Sequence, residues 1–314
     1  MSTEGSTKAV VAALLANMGI AVTKFLAFVL TGASSMLAEA IHSVADSGNQ
    51  ALLLLGGRQA RKRPTAEHPF GYGRERYIYA FIVAIVLFSV GGLFALYEAY
   101  HKGHELHATH GHPDDSLLDS QWWWVPLVVL VASIAMESLS FRTAIRETEH
   151  VRGSASYIEF IRRAKQPELP VVLLEDFAAL IGLFFALLGV GLSLITQNLW
   201  FDVAGTALIG LLLVAVAVVL AIETKSLLLG ESASVEAEDR IAEALRGTEG
   251  IERIIHLKTM HLGPDELLVA AKVAVHRDAN AGQIATAIDR AEASIRVVEP
   301  IATVIYLEPD IARS

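Results

Sequence analysis

His42 and Asp46 stand four residues apart inside an apolar stretch long enough to cross a membrane. That spacing puts both side chains on one helix face, about 5–6 Å apart at Cβ. An ionisable group in a bilayer is costly unless it is paired, hydrated or bound to an ion. An imidazole and a carboxylate placed together there make half of a tetrahedral divalent-metal site. One helix cannot surround an ion, so the other half must come from elsewhere. Glu175 and Asp176, in Leu173-Leu174-Glu175-Asp176-Phe177-Ala178, offer it near the start of another apolar run. Taken alone, this pair also fits an interfacial first turn after Pro170, where the helix dipole favours negative charge. Beside His42 and Asp46 it reads as ligation, and which of the two carboxylates binds stays open.

These residues need membrane helices to hold them. The 314 residues are 53% hydrophobic, and apolar runs of span length fall at roughly 9–31, 34–57, 77–100, 122–146, 170–195 and 199–223. The first run is too long for a cleavable signal peptide and has no small-residue cleavage site after it. Lys and Arg concentrate in the second-to-third link (Arg58 to Arg76) and around the fourth-to-fifth link (Arg142 to Lys165). By the positive-inside tendency, both face the cytoplasm, as do both termini. The plasma (inner) membrane is the expected location if the chain is prokaryotic, with an organellar membrane as the alternative. Trp122-Trp123-Trp124 suits an interfacial aromatic belt.

From about residue 226 the composition returns to that of a soluble domain. The pattern predicts helix 235–247, strands 251–260 and 266–275, helix 281–296 and strand 300–307, with Gly263-Pro264-Asp265 as the turn. That αββαβ order suggests a small ferredoxin-like α+β domain. The expected organisation is a six-helix transmembrane domain over 1–225 and a cytoplasmic C-terminal domain over 226–314.

Other polar groups are read against plainer roles. Glu39, one turn before His42, and Asn49 and Gln50, one turn after Asp46, extend the polar stripe, which suits a hydrated ion path. Asn17, Lys24, Glu98, Glu137 and Asp202 read as interhelical pairing residues. His101, His104, His107, His110 and His112 crowd one outward loop, either as loose metal ligands or as a solvated tract. His68, His256, His261 and His276 start as surface or packing residues. The chain has no cysteine, so thiolate metal sites and disulfides are excluded. A formal charge of −9 gives no reason to expect nucleic acid. No HExxH, GxSxG or paired catalytic aspartate motif marks an enzyme.

Leu37-Ala38-Glu39-Ala40-Ile41-His42-Ser43-Val44-Ala45-Asp46, the loop His68-Pro69-Phe70-Gly71-Tyr72-Gly73, Asp202 with Gly210, and the αββαβ tail together resemble the cation diffusion facilitator family of proton-coupled zinc and manganese exporters. The resemblance covers essentially the whole chain. It implies six spans, a homodimer and a cytoplasmic ferredoxin-like domain. It also implies a transport site of His42 and Asp46 with two residues from span five, usually His-x-x-x-Asp. Here Glu175 and Ala179 hold those positions, Asp176 is the substitute, and Asn49 or water is left to complete the shell. Leu-Leu-Glu-Asp resembles a divergent branch of the family. Of the family's loop site only His68 remains, since Tyr72 stands at the second position. Its soluble dinuclear site is mostly replaced, with Ala271, Tyr306 and Glu308 at the corresponding positions, which leaves dimerisation as that domain's main role.

The resulting expectation is a Zn²⁺/H⁺ antiporter moving metal out of the cytoplasm by alternating access. An imidazole titrates near physiological pH, and metal binding needs neutral imidazole and ionised carboxylates, so it releases protons. One imidazole with carboxylates suits zinc, while an oxygen-rich shell would suit Mn²⁺, Fe²⁺ or Co²⁺. A carrier using His42 and Asp46 as a proton relay, and a non-transporting membrane metal sensor or scaffold, are the alternatives.

Overall fold

The computed structural model describes residues 18–109, 117–118 and 120–311. Asn17, His110 and His112 lie outside them. The chain divides into two units. One takes in the chain up to Leu55 with Tyr79–Glu223, the other Gly56–Ile78 with everything from Thr224 onward.

The first unit is helical. The described part of α1 is Met18–Thr31. It is followed by α2 (Ser34–Ala60), α3 (Glu75–Ala108), α4 (Val125–Arg152), α5 (Tyr157–Arg163), α6 (Glu168–Thr196) and α7 (Trp200–Leu229). Four of these, α3, α4, α6 and α7, are long and apolar enough to cross a membrane. The described part of α1 is shorter than a span, and α2 has the length but carries the polar stripe. A π-helical stretch, Leu87–Leu93, interrupts α3 where Gly91 and Gly92 remove side chains. His101, His104 and His107 prove to be on the last turns of α3, exposed and three residues apart, rather than in a loop. Helix continues through Gly103, which lies against Trp200 and Val203.

The unit is built inside out. Val22, Phe25, Val29, Val128, Leu139, Leu188 and Ile222 point outward. Lys24, Glu39, His42, Asn49, Glu175, Asp176 and Asp202 are buried. Without a hydrophobic force between helices in lipid, association depends on small residues and interhelical hydrogen bonds. Gly205 supplies such an approach. A Cβ there would lie 2.8 Å from the Phe185 carbonyl oxygen and 3.3 Å from the Gly189 Cα, so α6 and α7 touch backbone to backbone.

Asp202 of α7 then caps α2. Its carboxylate accepts from the Ser34 amide at 2.8 Å and the Ser34 hydroxyl at 2.9 Å, and from the Ser35 hydroxyl. Those are the donors a helix start leaves unsatisfied. The sharp entry into α2 comes from Gly32, which closes α1 at φ 64°.

In the second unit, α8 (Val235–Arg246) starts on a Ser234 cap, and α9 (Ala281–Val298) on a reciprocal Asn280–Gln283 capping box. The strands are β1 (Ile251–Gly263), β2 (Glu266–Val275) and β3 (Val304–Ile311), in sheet order β1-β2-β3. β1 and β2 pair antiparallel, β2 and β3 parallel. The element order is the expected αββαβ. β3 begins later than expected because Glu299 to Thr303 forms a turn, with Ala302 N–H donating to the Glu299 carbonyl at 3.0 Å. Alternate residues of β2, Leu267, Val269, Ala271 and Val273, face a core with Ile241, Leu245, Ala291 and Ile295. Each fully buried leucine or isoleucine there contributes about 1.5–3 kcal/mol.

The segment Gly56–Ile78 joins this unit at the β1–β2 turn. Arg76 pairs with Asp265 at 2.7 Å. Glu266 Oε2 is buried without a hydrogen-bond partner, and a Cβ on Gly73 would meet it at 2.9 Å. Burial, and then the Asp265 charge, push the Glu266 carboxyl above its usual pKa.

Two outcomes follow. Gly205→Val forces α6 and α7 apart and costs about 1–3 kcal/mol, read as a lower midpoint of thermal unfolding in detergent. For Glu266, a folded-state pKa above the unfolded value means stability falls as pH rises from the ordinary carboxylate range through the folded pKa. Glu266→Gln therefore raises the melting temperature of the full chain at pH 7 and gives no gain at pH 4, in melts across that range.

Candidate metal centre

The centre is built on α2, whose residues 39, 42, 43, 46 and 49 recur at helical spacing and line one face. The first polar contact on it is an ion pair. Lys24 of α1 lies 2.9 Å from Glu39 Oε2 and donates to the Ser43 hydroxyl at 2.8 Å. All three side chains are buried. Glu39 is therefore neutralised by a tethered ammonium, a role the sequence left among the candidate ligands. Its other oxygen lies against Gly182 with no hydrogen-bond partner. Removing one member of such a buried pair leaves an uncompensated charge, typically worth about 3–5 kcal/mol.

One turn on, His42 is 1% exposed, and neither ring nitrogen has a hydrogen-bond partner. Its Nδ1 stands 3.4 Å from Asp46 Oδ1 without hydrogen-bond geometry. Buried polar atoms are nearly always satisfied. An imidazole with two idle nitrogens beside a carboxylate is a donor set in want of a cation.

Glu175 and Asp176 come from the third turn of α6 and diverge as adjacent helical residues must, about 100° apart. Glu175 Oε1 accepts from Asn49 Nδ2 of α2 at 2.6 Å. Asp176 Oδ2 accepts from the Ser140 hydroxyl of α4 at 2.9 Å. The fold thus brings the α6 carboxylate Glu175 to the α2 stripe, with Asn49 as the bridge and its own Oδ1 left unpartnered. Among the described residues, no three His, Asp or Glu side chains converge closely enough to hold one ion. Sequence reasoning missed Ser43 and Ser140. Both signals were present, as hydroxyls in apolar helices, but a serine is common enough there to carry no meaning without its partner.

The remaining candidates are dispersed. His68 is exposed, edge-on to Tyr72 with ring centroids 4.8 Å apart. His256 and His276 are exposed and His261 buried, with Nδ1 3.3 Å from the Gly263 carbonyl oxygen.

Comparison with known proteins fits this geometry. The pattern of the cation efflux transmembrane domain matches residues 10–229. The proton-coupled zinc antiporter SLC30A9, mitochondrial, of Xenopus laevis is 32% identical over 276 residues, 87% of this chain and 47% of that protein. The protein of that name from Homo sapiens is 31% identical over 272 residues, 86% of this chain and 46% of that protein. Metal tolerance protein C4 of Arabidopsis thaliana is 28% identical over 272 residues, 85% and 57% of the two chains. The chain spans about half the length of the zinc antiporters it matches.

These relatives correct one expectation. The plasma (inner) membrane is the expected location for a prokaryotic chain, whereas the similar zinc antiporters are named mitochondrial. Loop charge reports which side of a membrane a segment occupies and carries no information about which membrane it is. What the polar stripe on α2 implies about cation handling and what the domain match covers agree, and this chain belongs to the cation efflux family of transmembrane proteins.

Proposed function

We propose that this chain is a proton-coupled zinc antiporter, with the cation held between α2 and α6. The observation that carries the reading is His42, sealed from solvent inside the helical unit with both ring nitrogens idle beside Asp46. His42 and Asp46 supply the first two ligands, Glu175 and Asp176 the carboxylates of the opposite wall, and Asn49 an amide oxygen. The names of the relatives support zinc and protons as the exchanged ions, and a mitochondrial membrane as the place.

The exchange follows from competition for the same lone pairs. A cation binds to neutral imidazole and ionised carboxylates, so its arrival displaces protons, and protons arriving from the other side displace it. Rocking of helices around a fixed site near the bilayer midplane supplies alternating access. Six spans, counting α1 and α2 with the four apolar helices, agree with the even number that loop charge requires. The αββαβ unit is read as ferredoxin-like and as the seat of homodimerisation. His68 is a loop residue without ligand partners in this reading. Oxygen donors outnumber nitrogen in the site, so Mn²⁺ and Fe²⁺ are the next cations to test.

The test is ⁶⁵Zn²⁺ uptake into proteoliposomes under an imposed pH gradient. Wild type shows gradient-driven flux, and both Asp46→Ala and the double variant Glu175→Ala/Asp176→Ala fall to the level of empty liposomes. Flux lost only with Asp46→Ala confines the site to α2. Absence of flux for Zn²⁺, Mn²⁺, Fe²⁺ and Co²⁺ in folded protein overturns transport in favour of a sensor or scaffold.

A further inference from the structure

We infer that α4 contributes a ligand to the transported cation, the carboxylate of Glu137, so that the site is walled by three helices. This rests on the transport reading above and adds a residue that neither α2 nor α6 supplies.

Four observations converge on it. Glu137 lies twelve residues into the 28-residue α4, which at 1.5 Å per residue is about 18 Å along it and near the middle of a hydrocarbon core about 30 Å thick. A carboxylate at that depth is expensive and is kept only with a partner or a task. No hydrogen bond or ion pair engages it among the described residues, while Val128, Val131, Met136 and Leu139 of the same helix are turned outward to lipid.

Second, its face is fixed. Ser140, three residues further on, donates to Asp176 Oδ2 at 2.9 Å. Residues three apart on a helix share a face, so Glu137 is presented toward α6 rather than to lipid. Third, it lies within electrostatic reach of Asp176, Asp46 and His42. Fourth, His42 is buried with both nitrogens unpartnered, so an unfilled donor lies among the groups whose charge Glu137 feels.

Charge balance favours the same assignment. Lys24 neutralises Glu39, which leaves Asp46, Glu137, Glu175 and Asp176 with no protein cation paired to them among the described residues. Glu175 and Asp176 already have one oxygen each engaged by Asn49 and Ser140. Asp46 and Glu137 are the two carboxylates free of such a neutral donor; no three such side chains converge in this structure among the described residues, and a cation drawing these two to the His42 imidazole would complete a mixed oxygen and nitrogen set of the kind zinc accepts. Ser140 is a positioning residue in this arrangement, holding Asp176 and the α4 face in register.

The experiment measures Zn²⁺ binding to the detergent-purified full chain by isothermal titration, with proteoliposome flux alongside. Glu137→Gln keeps size and removes charge, and is expected to weaken binding roughly 10-fold or more, with Glu137→Asp intermediate. Glu98→Gln, a neutralised carboxylate on α3 away from the centre, binds as wild type does. Binding unchanged in Glu137→Gln, with Asp46→Ala losing it, overturns the assignment and leaves transport standing. Binding unchanged with flux lost also overturns it, because Glu137 then acts without touching the metal. Equal losses in Glu137→Gln and Glu98→Gln overturn it as a general loss of fold. If wild type binds Zn²⁺ and Glu137→Gln does not, the ligand is supported even where no flux is seen, and only the transport reading fails.

Discussion

Charge without water is the constraint on which the helical unit depends. A carboxylate or ammonium inside the hydrocarbon region has to be neutralised, hydrogen-bonded or given an ion. The buried charges of this chain divide along those lines. Lys24 and Glu39 neutralise each other. Asp202 is met by the hydroxyls and amide at the start of α2. His42 and Asp46 have neither solution. The contrast separates charges that the fold has satisfied from groups it has left without a partner.

The two structural solutions serve the third. Asp202 ties the first turn of α2 to α7, and Lys24 ties its next turns to α1, up to the turn that carries His42. Glu175 and Asp176 show the same economy on α6. Being neighbours, they cannot face one helix together, and each takes a different one, Asn49 of α2 and Ser140 of α4. A histidine and aspartate four apart, the usual span-five pair of the family, would have pointed both ligands at α2. Adjacent carboxylates instead tie α6 to α4 as well as to α2, through Ser140 and Asn49.

The second unit follows the ordinary rules of a water-soluble fold. Its helices begin on side-chain caps, its central strand alternates between a buried face and a half-exposed one, and aliphatic side chains fill the core. The segment between α2 and α3 joins it through Arg76 and Asp265 and through the close approach at Gly73. Ala271 packs into the unit's core and Tyr306 is exposed. Among its described residues, no group of three metal-binding side chains forms.

Periodicity and composition alone determined the apolar helices, the αββαβ order and the ladder of Glu39, His42, Asp46 and Asn49, because each of these is a local property of spacing along the chain. The roles of Lys24, Asp202 and Ser140 were decided by tertiary structure. Their partners lie 15, 168 and 36 residues away, and a lone lysine or serine in an apolar run reads the same whether it meets a carboxylate or nothing. The histidines after Tyr100 looked like a loop because histidine is indifferent to helix, and only continuation of α3 placed three of them on a helix. Residue types fixed which groups could bind a cation. Packing of α1, α4, α6 and α7 around α2 decided which were already satisfied, since a hydrogen bond inside lipid is set by what the neighbouring helix presents.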